Sequence, residues 1–194
     1  YTENKILIIS TVIIFIIVIG SYSFYSYSLE KKKNYVSENY ISARIYLENG
    51  SKKEARNILK AIILENDSTY STLSLFLILN ENLIDDRDEV INLFDHVIKN
   101  NKFEKEIENL IIFKKAIFLS DYTEEAELLK ITNELINTES IWRAHALLLL
   151  GDYFVSKKEF LKGKDYYNEI LLMKNISEDF YEHARQQIML IANE

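Results

Sequence analysis

The sequence predicts an all-α protein, with one N-terminal helix able to cross a membrane followed by a stack of short amphipathic helix pairs. Three observations lead there. No charge occurs from Ile6 to Leu29; apolar residues beyond Lys33 recur every three or four positions in short blocks; and the chain has no proline and only four glycines. Strands would need sustained alternation bounded by turn formers, and neither is present. A chain so poor in proline and glycine, yet rich in Ile, Leu, Lys, Glu and Asn, reads as helices joined by short polar turns.

The first element is the uncharged run. Its 24 residues would rise about 36 Å as a helix, enough for a hydrocarbon core of about 30 Å. Residues Ile6 to Ile19 are almost purely aliphatic. From Ser21 to Ser28 serines alternate with Tyr22, Phe24, Tyr25 and Tyr27, whose rings suit the headgroup layer and mark the interfacial end of the span. Glu30, Lys31, Lys32 and Lys33 end the run. A cleaved signal peptide competes with the anchor, because the aliphatic part has the length of its apolar core. Against it, no small-x-small cleavage site follows, and Tyr and Phe fill the region where one would fall. The expected division is an anchor over residues 1–29 and a helical domain over 30–194. The chain opens on Tyr1 rather than Met, so its natural N-terminus is expected to extend further.

The domain follows helix by helix. Ala43, Tyr46 and Leu47 form the expected face of a helix ending near Asn49 and capped by Gly50. Ala55, Leu59 and Ile62 form the next face, and Ser68 is the expected cap of a third helix carrying Leu73, Phe76, Leu77 and Leu79. Acidic residues from Asp85 to Glu89 suit the start of a fourth, which continues through Val90, Phe94 and Val97. Leu110, Phe113, Ile117 and Phe118 mark a fifth, and Ala126, Leu129 and Leu135 a sixth. Residues 142–154 and 160–172 give the seventh and eighth; Phe180, Ala184, Ile188 and Ile191 give a terminal ninth.

These helices pair with a period of about 30 to 40 residues, the spacing of tetratricopeptide-type repeats, predicting a solenoid of about four helix pairs plus a capping helix. The best unit places Leu147, Leu150, Gly151 and Phe154 on one helix and Gly163, Tyr167 and Ile170 on the next. Small residues there let two helices approach while large ones fill the gap. Ala43, Tyr46, Ala55, Leu59 and Ile62 fit the same offsets; an irregular helical bundle is the competing arrangement.

Little in the chain points to catalysis. A net charge of −7 argues against a nucleic-acid binder. The absence of cysteine excludes disulfides, cysteine-based zinc sites and thiol chemistry. His96, His145 and His183 are scattered over three helices without metal-ligand spacing. Asp85, Asp86, Asp88 and Glu89 lack the glycine and terminal glutamate of a calcium loop and read as a solvated helix start. No phosphate-cradling loop or nucleophile elbow occurs. The expectation is a protein that is not an enzyme, with no catalytic residue, metal, cofactor or small-molecule substrate. Trp142, the single tryptophan, reads as core rather than an exposed anchor.

With span and repeats together, the chain resembles the ancillary Sec-translocon subunit family, bitopic proteins of the bacterial inner membrane with a tetratricopeptide-like domain. The resemblance is sharpest at Glu65, Asn66, Ser68, Thr69, Tyr70 and Leu73, and from Trp142 through Gly151, Ser156, Lys157 and Gly163. It implies a cytoplasmic N-terminus, a periplasmic domain, and protein partners among translocon subunits, exported chains and chaperones. The lysine run argues the other way, because positive flanks draw toward the cytoplasm. A structural or assembly subunit of another membrane complex is the alternative reading.

Overall fold

The computed structural model describes residues 4–122 and 124–192; Tyr1, and the side chains at positions 5–9 and 12 within the expected span, lie outside the described residues. Nine helices occur among the described residues, and no strand. They fall into two compact units, residues 1–93 and 94–194, the division running inside the fourth helix.

The first unit begins with α1 (Lys5–Glu48), one unbroken helix of 44 residues. The expected boundary between residues 29 and 30 therefore coincides with no break in the backbone. Every described side chain from Ser10 to Tyr35 is exposed. Val36 is the first buried residue, followed by Ala43 at the same depth, with Tyr40 and Leu47 half-buried beside them. At about 100° per residue these four lie within an arc of about 60°. Tyr46 falls about 60° outside that arc, which is why it is 41% exposed instead of lining the face with Ala43.

This stripe of α1 packs on α2 (Lys52–Leu64) and on α3 (Ser68–Asn80). Ala55, Leu59, Ile62 and Ile63 are the buried face of α2. Tyr40 meets Tyr70 of α3 with ring centroids 5.8 Å apart. The buried side of α3 differs from the expected one. Ser71, Ser74, Leu75 and Ile78 point inward, while Leu73 is 41% exposed and Phe76, Leu77 and Leu79 are half-buried. Because α3 is apolar nearly all round, hydrophobicity alone does not select a face. Small size selects it instead. The Ser71 hydroxyl donates to the carbonyls of Ile62 and Ile63 at the end of α2, at 3.4 and 3.1 Å. It thereby adds a second donor to carbonyls that already accept from the Glu65 and Asn66 N–H groups at the end of α2.

Helix ends show how a chain with four glycines turns so often. Gly50 (φ 77°) ends α1: its N–H donates to Leu47 and that of Ser51 to Tyr46, the paired bonds of a Schellman cap. Asn82 does the same after α3, bonding with Leu83 back to Leu79 and Ile78. Asn66, Asn82 and Asn175 all adopt the left-handed conformation, as does Lys158. Asparagine tolerates that region better than other side-chain-bearing residues, so it replaces glycine there. The cap of α3 is Asp67 and not Ser68: its Oδ1 accepts from the N–H groups of Thr69 (3.1 Å) and Tyr70 (2.9 Å). A carboxylate there also faces the positive end of the helix dipole. The first half of α4 (Arg87–Asn100) follows, with Asp86 Oδ1 accepting from Asp88 and Glu89. Lys60 of α2 pairs with Glu89.

The second unit contains the rest of α4, α5 (Lys105–Ser120), α6 (Glu125–Ile136), α7 (Arg143–Ser156), α8 (Phe160–Leu171) and α9 (Glu178–Ile191). Neighbours in sequence pack together from α5 onward, and α5 also packs on α7. Ala116, Leu128, Leu150, Tyr153 and Phe154 form one core cluster; Leu147, Tyr167, Ile170 and Ala184 form another.

Asp67→Ala is expected to lower unfolding free energy by about 1 kcal/mol in urea melts, while Asp67→Asn retains most of the cap. No change with alanine would show that the two bonds at Asp67 contribute nothing.

Candidate interaction surfaces

Among the described residues, one helix, α1, is long and apolar enough to cross a membrane. Ile13 to Ile19 are each at least half-exposed, a continuous apolar sleeve with no protein against it. Tyr22, Phe24, Tyr25 and Tyr27 are 72, 76, 62 and 66% exposed. Their positions on the helix, at about 0°, 200°, 300° and 140°, encircle it rather than share one face. A protein partner is met by one side of a helix; a ring of aromatics on all sides matches a surrounding layer such as the headgroup region.

The α7–α8 seam lies within the second unit. Tyr167 is fully buried and its ring lies over Gly151, so that a Cβ built on Gly151 would sit 2.8 Å from Tyr167 Cδ1. On the other helix, a Cβ on Gly163 would come within 2.8 Å of Val155 Cγ2 and 3.0 Å of the Gly151 carbonyl oxygen. Leu147 and Phe154 are fully or almost fully buried on the same face of α7. The Tyr167 hydroxyl leaves the core and donates to Asp152 Oδ1 at 2.7 Å. Burial pushes this hydroxyl well above the usual tyrosine range, and the carboxylate that accepts from it adds to the shift. Burial also raises Tyr153 and Tyr166, with nearby glutamates adding to both. At the rim, Lys162 pairs with Glu159 (2.6 Å) and Glu125 (2.9 Å), and these bonds hold its ammonium protonated above the usual lysine range.

A second feature of this unit is a polar knot that sequence reasoning missed. Ser140 accepts from Asn109 Nδ2 (3.0 Å) and from the Trp142 N–H (3.1 Å), and donates to Glu106 Oε2 (2.8 Å). Trp142 Nε1 donates to the Glu106 carbonyl at 2.9 Å, and the indole stacks on Phe113 with centroids 5.6 Å apart. Trp142 is therefore half-buried, part of the packing. His145 completes an aromatic cluster, 5.0 Å from Trp142 and 4.6 Å from Phe180 between centroids. The signal in the sequence was Asn109, which interrupts the apolar stripe it shares with Phe113 and Ala116. Beside the knot a half-open groove of about 1020 Å³ runs between the start of α7, the end of α8 and the turn into α9, with Arg143, Met173, Ile176 and Phe180 on its walls.

Among the described residues, no group of three or more His, Asp or Glu side chains gathers as a metal site. His96 and His183 lie on α4 and α9. Comparison with protein-family models, curated proteins and solved structures found no match to this chain. What fold and surfaces define is a class: an all-helical protein with one helix long and apolar enough to span a bilayer.

Two predictions follow from the seam. Gly163→Leu is expected to destabilise by on the order of 3 kcal/mol, because backbone as well as Val155 blocks the added carbons; an unchanged melting temperature would mean that the seam relaxes freely. The second concerns alkaline pH. Tyr167, Tyr166 and Tyr153 hold their protons more tightly folded than unfolded, so their stabilisation is complete below the unfolded tyrosine value. Stability then falls above pH about 10, with a slope of about 1.4 kcal/mol per pH unit for each tyrosine that only the unfolded chain ionises. Tyr167→Phe is expected to flatten that fall in alkaline urea titrations, and an unaltered slope would assign the loss to other groups.

Proposed function

We propose that the chain is a membrane-anchored, tetratricopeptide-like interaction protein, accessory to the Sec translocon, that assists exported proteins or periplasmic chaperones. The observation that carries the tethered reading is α1. One helix presents an apolar sleeve and an aromatic ring, then enters the core of a helical unit through Val36 and Ala43 without a break. A folded unit held this way works at the bilayer, where tethering raises its effective concentration toward membrane partners. No described residue of the sleeve is charged, so the span supplies anchoring or lateral helix contact and not an ion path.

The solenoid reading is supported by the order of packing. Helices α1 to α3, and α5 to α9, pack on their neighbours in sequence, and alternate helices also touch, α1 with α3 in one unit and α5 with α7 in the other. That is the contact order of stacked helix pairs. The small-residue seam at Gly151 and Gly163 supports it further. The open groove beside Trp142 supports a role in binding protein segments, since its walls mix apolar and charged side chains. The translocon as partner, and the periplasm as the domain's side, rest on the resemblance at Glu65 to Leu73 and Trp142 to Gly163. The lysines after the span favour the opposite orientation.

Photo-crosslinkers at Ile13 to Ile19 and along the groove are expected to capture translocon subunits or exporting chains in cells. Protease added to spheroplasts is expected to digest the domain, and protease added to inverted vesicles to spare it. The reverse pattern would make the domain cytoplasmic and end the export-assistance reading.

A further inference from the structure

We propose that Lys31, Lys32 and Lys33 form a collar that binds the phosphates of anionic phospholipid headgroups, in the leaflet that holds the aromatic ring. This rests on the anchor reading above and adds a specific ligand to it.

All three lysines are exposed, and none of their ammonium groups is joined to an ion pair or hydrogen bond among the described residues. They sit on the continuous part of α1, where no turn lets them move relative to the span. Tyr27 to Lys31 is about 6 Å along the axis and Tyr27 to Lys33 about 9 Å, so the collar lies just outside the ring. Three successive positions cover about 200° of the helix circumference, which suits several lipids around it rather than one pocket.

Direction strengthens the case. Side chains on a helix tilt toward its N-terminus, and here the N-terminus is the membrane side. Long lysine stems therefore lean back along α1 toward the headgroups, with their ammonium groups leading. Val36, the first buried residue, follows Lys33 by about one turn. Only Asn34 and Tyr35, both exposed, stand between the collar and the folded unit.

Charge distribution favours an anionic surface over a protein partner as the collar's target. Residues 34–194 carry 19 basic and 28 acidic side chains, a net charge of −9, and are repelled by anionic lipid. The collar supplies the opposite sign where the chain meets the headgroups. Juxtamembrane lysines gain about 1 kcal/mol each from such a surface. The negatively charged unit is then held off the bilayer on a short stalk while its anchor is fixed in depth. Glu30, the first charge after the span, adds one local negative charge against three positive ones.

The test uses the full chain in vesicles of phosphatidylcholine with a minority of phosphatidylglycerol, and reads lipid selectivity from spin-labelled forms of each. The wild type is expected to prefer phosphatidylglycerol by roughly fivefold, the ratio that one lysine–headgroup contact is worth. Replacing all three lysines by glutamine is expected to bring the preference to unity while carbonate washing still leaves the chain in the membrane. Replacement by arginine is expected to keep the preference. Equal preference in the wild type and the glutamine variant would overturn the collar alone. Release of the wild type by carbonate would overturn the anchor and the collar together. Inorganic phosphate, compared with chloride at equal ionic strength, is expected to leave the preference intact; displacement by it would mean a site for free phosphate and would also overturn the proposal.

Discussion

One unbroken helix, exposed and apolar along its first part and packed along its last, governs the rest of the first unit. A membrane-crossing segment needs every backbone group bonded internally, and a helix does this without help from its surroundings. The same ladder continues through Glu30 to Tyr35, where nothing interrupts it, because the stretch contains no proline or glycine. What changes along α1 is the side-chain pattern: apolar on every side at Ile13 to Ile19, then a narrow stripe at Val36, Tyr40, Ala43 and Leu47. The stripe binds α2 and α3, so the direction of the whole helix is fixed relative to the unit it enters.

Small residues decide where helices meet closely. Ala43 and Ala55 are fully buried on α1 and α2, and Ser71 is fully buried where α3 crosses the end of α2. In the second unit, Gly151 and Gly163 let a tyrosine ring and a carbonyl occupy the space that a Cβ would take. Tyr167 then fills the gap with its ring and keeps its hydroxyl bonded to Asp152, so a large buried side chain leaves no polar atom unsatisfied. The polar knot at Ser140 is less complete, because the buried Asn109 Oδ1 accepts no hydrogen bond among the described residues. One hydroxyl joins α5 to the start of α7 by accepting two bonds and donating one.

Much of the helix inventory was legible because helical periodicity is a local property. The spacing of Ala55, Leu59 and Ile62, and that of Leu147, Leu150, Gly151 and Phe154, each names a buried face correctly. Helix ends were legible to within a residue or two, the cap of α3 falling on Asp67 rather than Ser68 because carboxylate and hydroxyl stand side by side and compete for the same N–H groups. Faces failed where hydrophobicity gave no contrast. Leu73 and Ser71 lie about 200° apart on α3, and a scale that rewards leucine chooses the exposed side. Tyr46 failed differently: it stands one position from Leu47, at the edge of a stripe whose centre is set by Val36, which the periodicity reading left out.

The sequence by itself determined the class of protein: helices throughout, a long uncharged N-terminal run, an aromatic ring, and a close-packed glycine pair. These depend on composition and on spacings shorter than about two helical turns, so no knowledge of distant contacts is needed. Only the tertiary structure decided that serines line the inner side of α3, and that Glu106, Asn109, Ser140 and Trp142 form one polar knot. Both depend on which helices come together, and on small or polar side chains whose burial costs little only when a particular neighbour meets them.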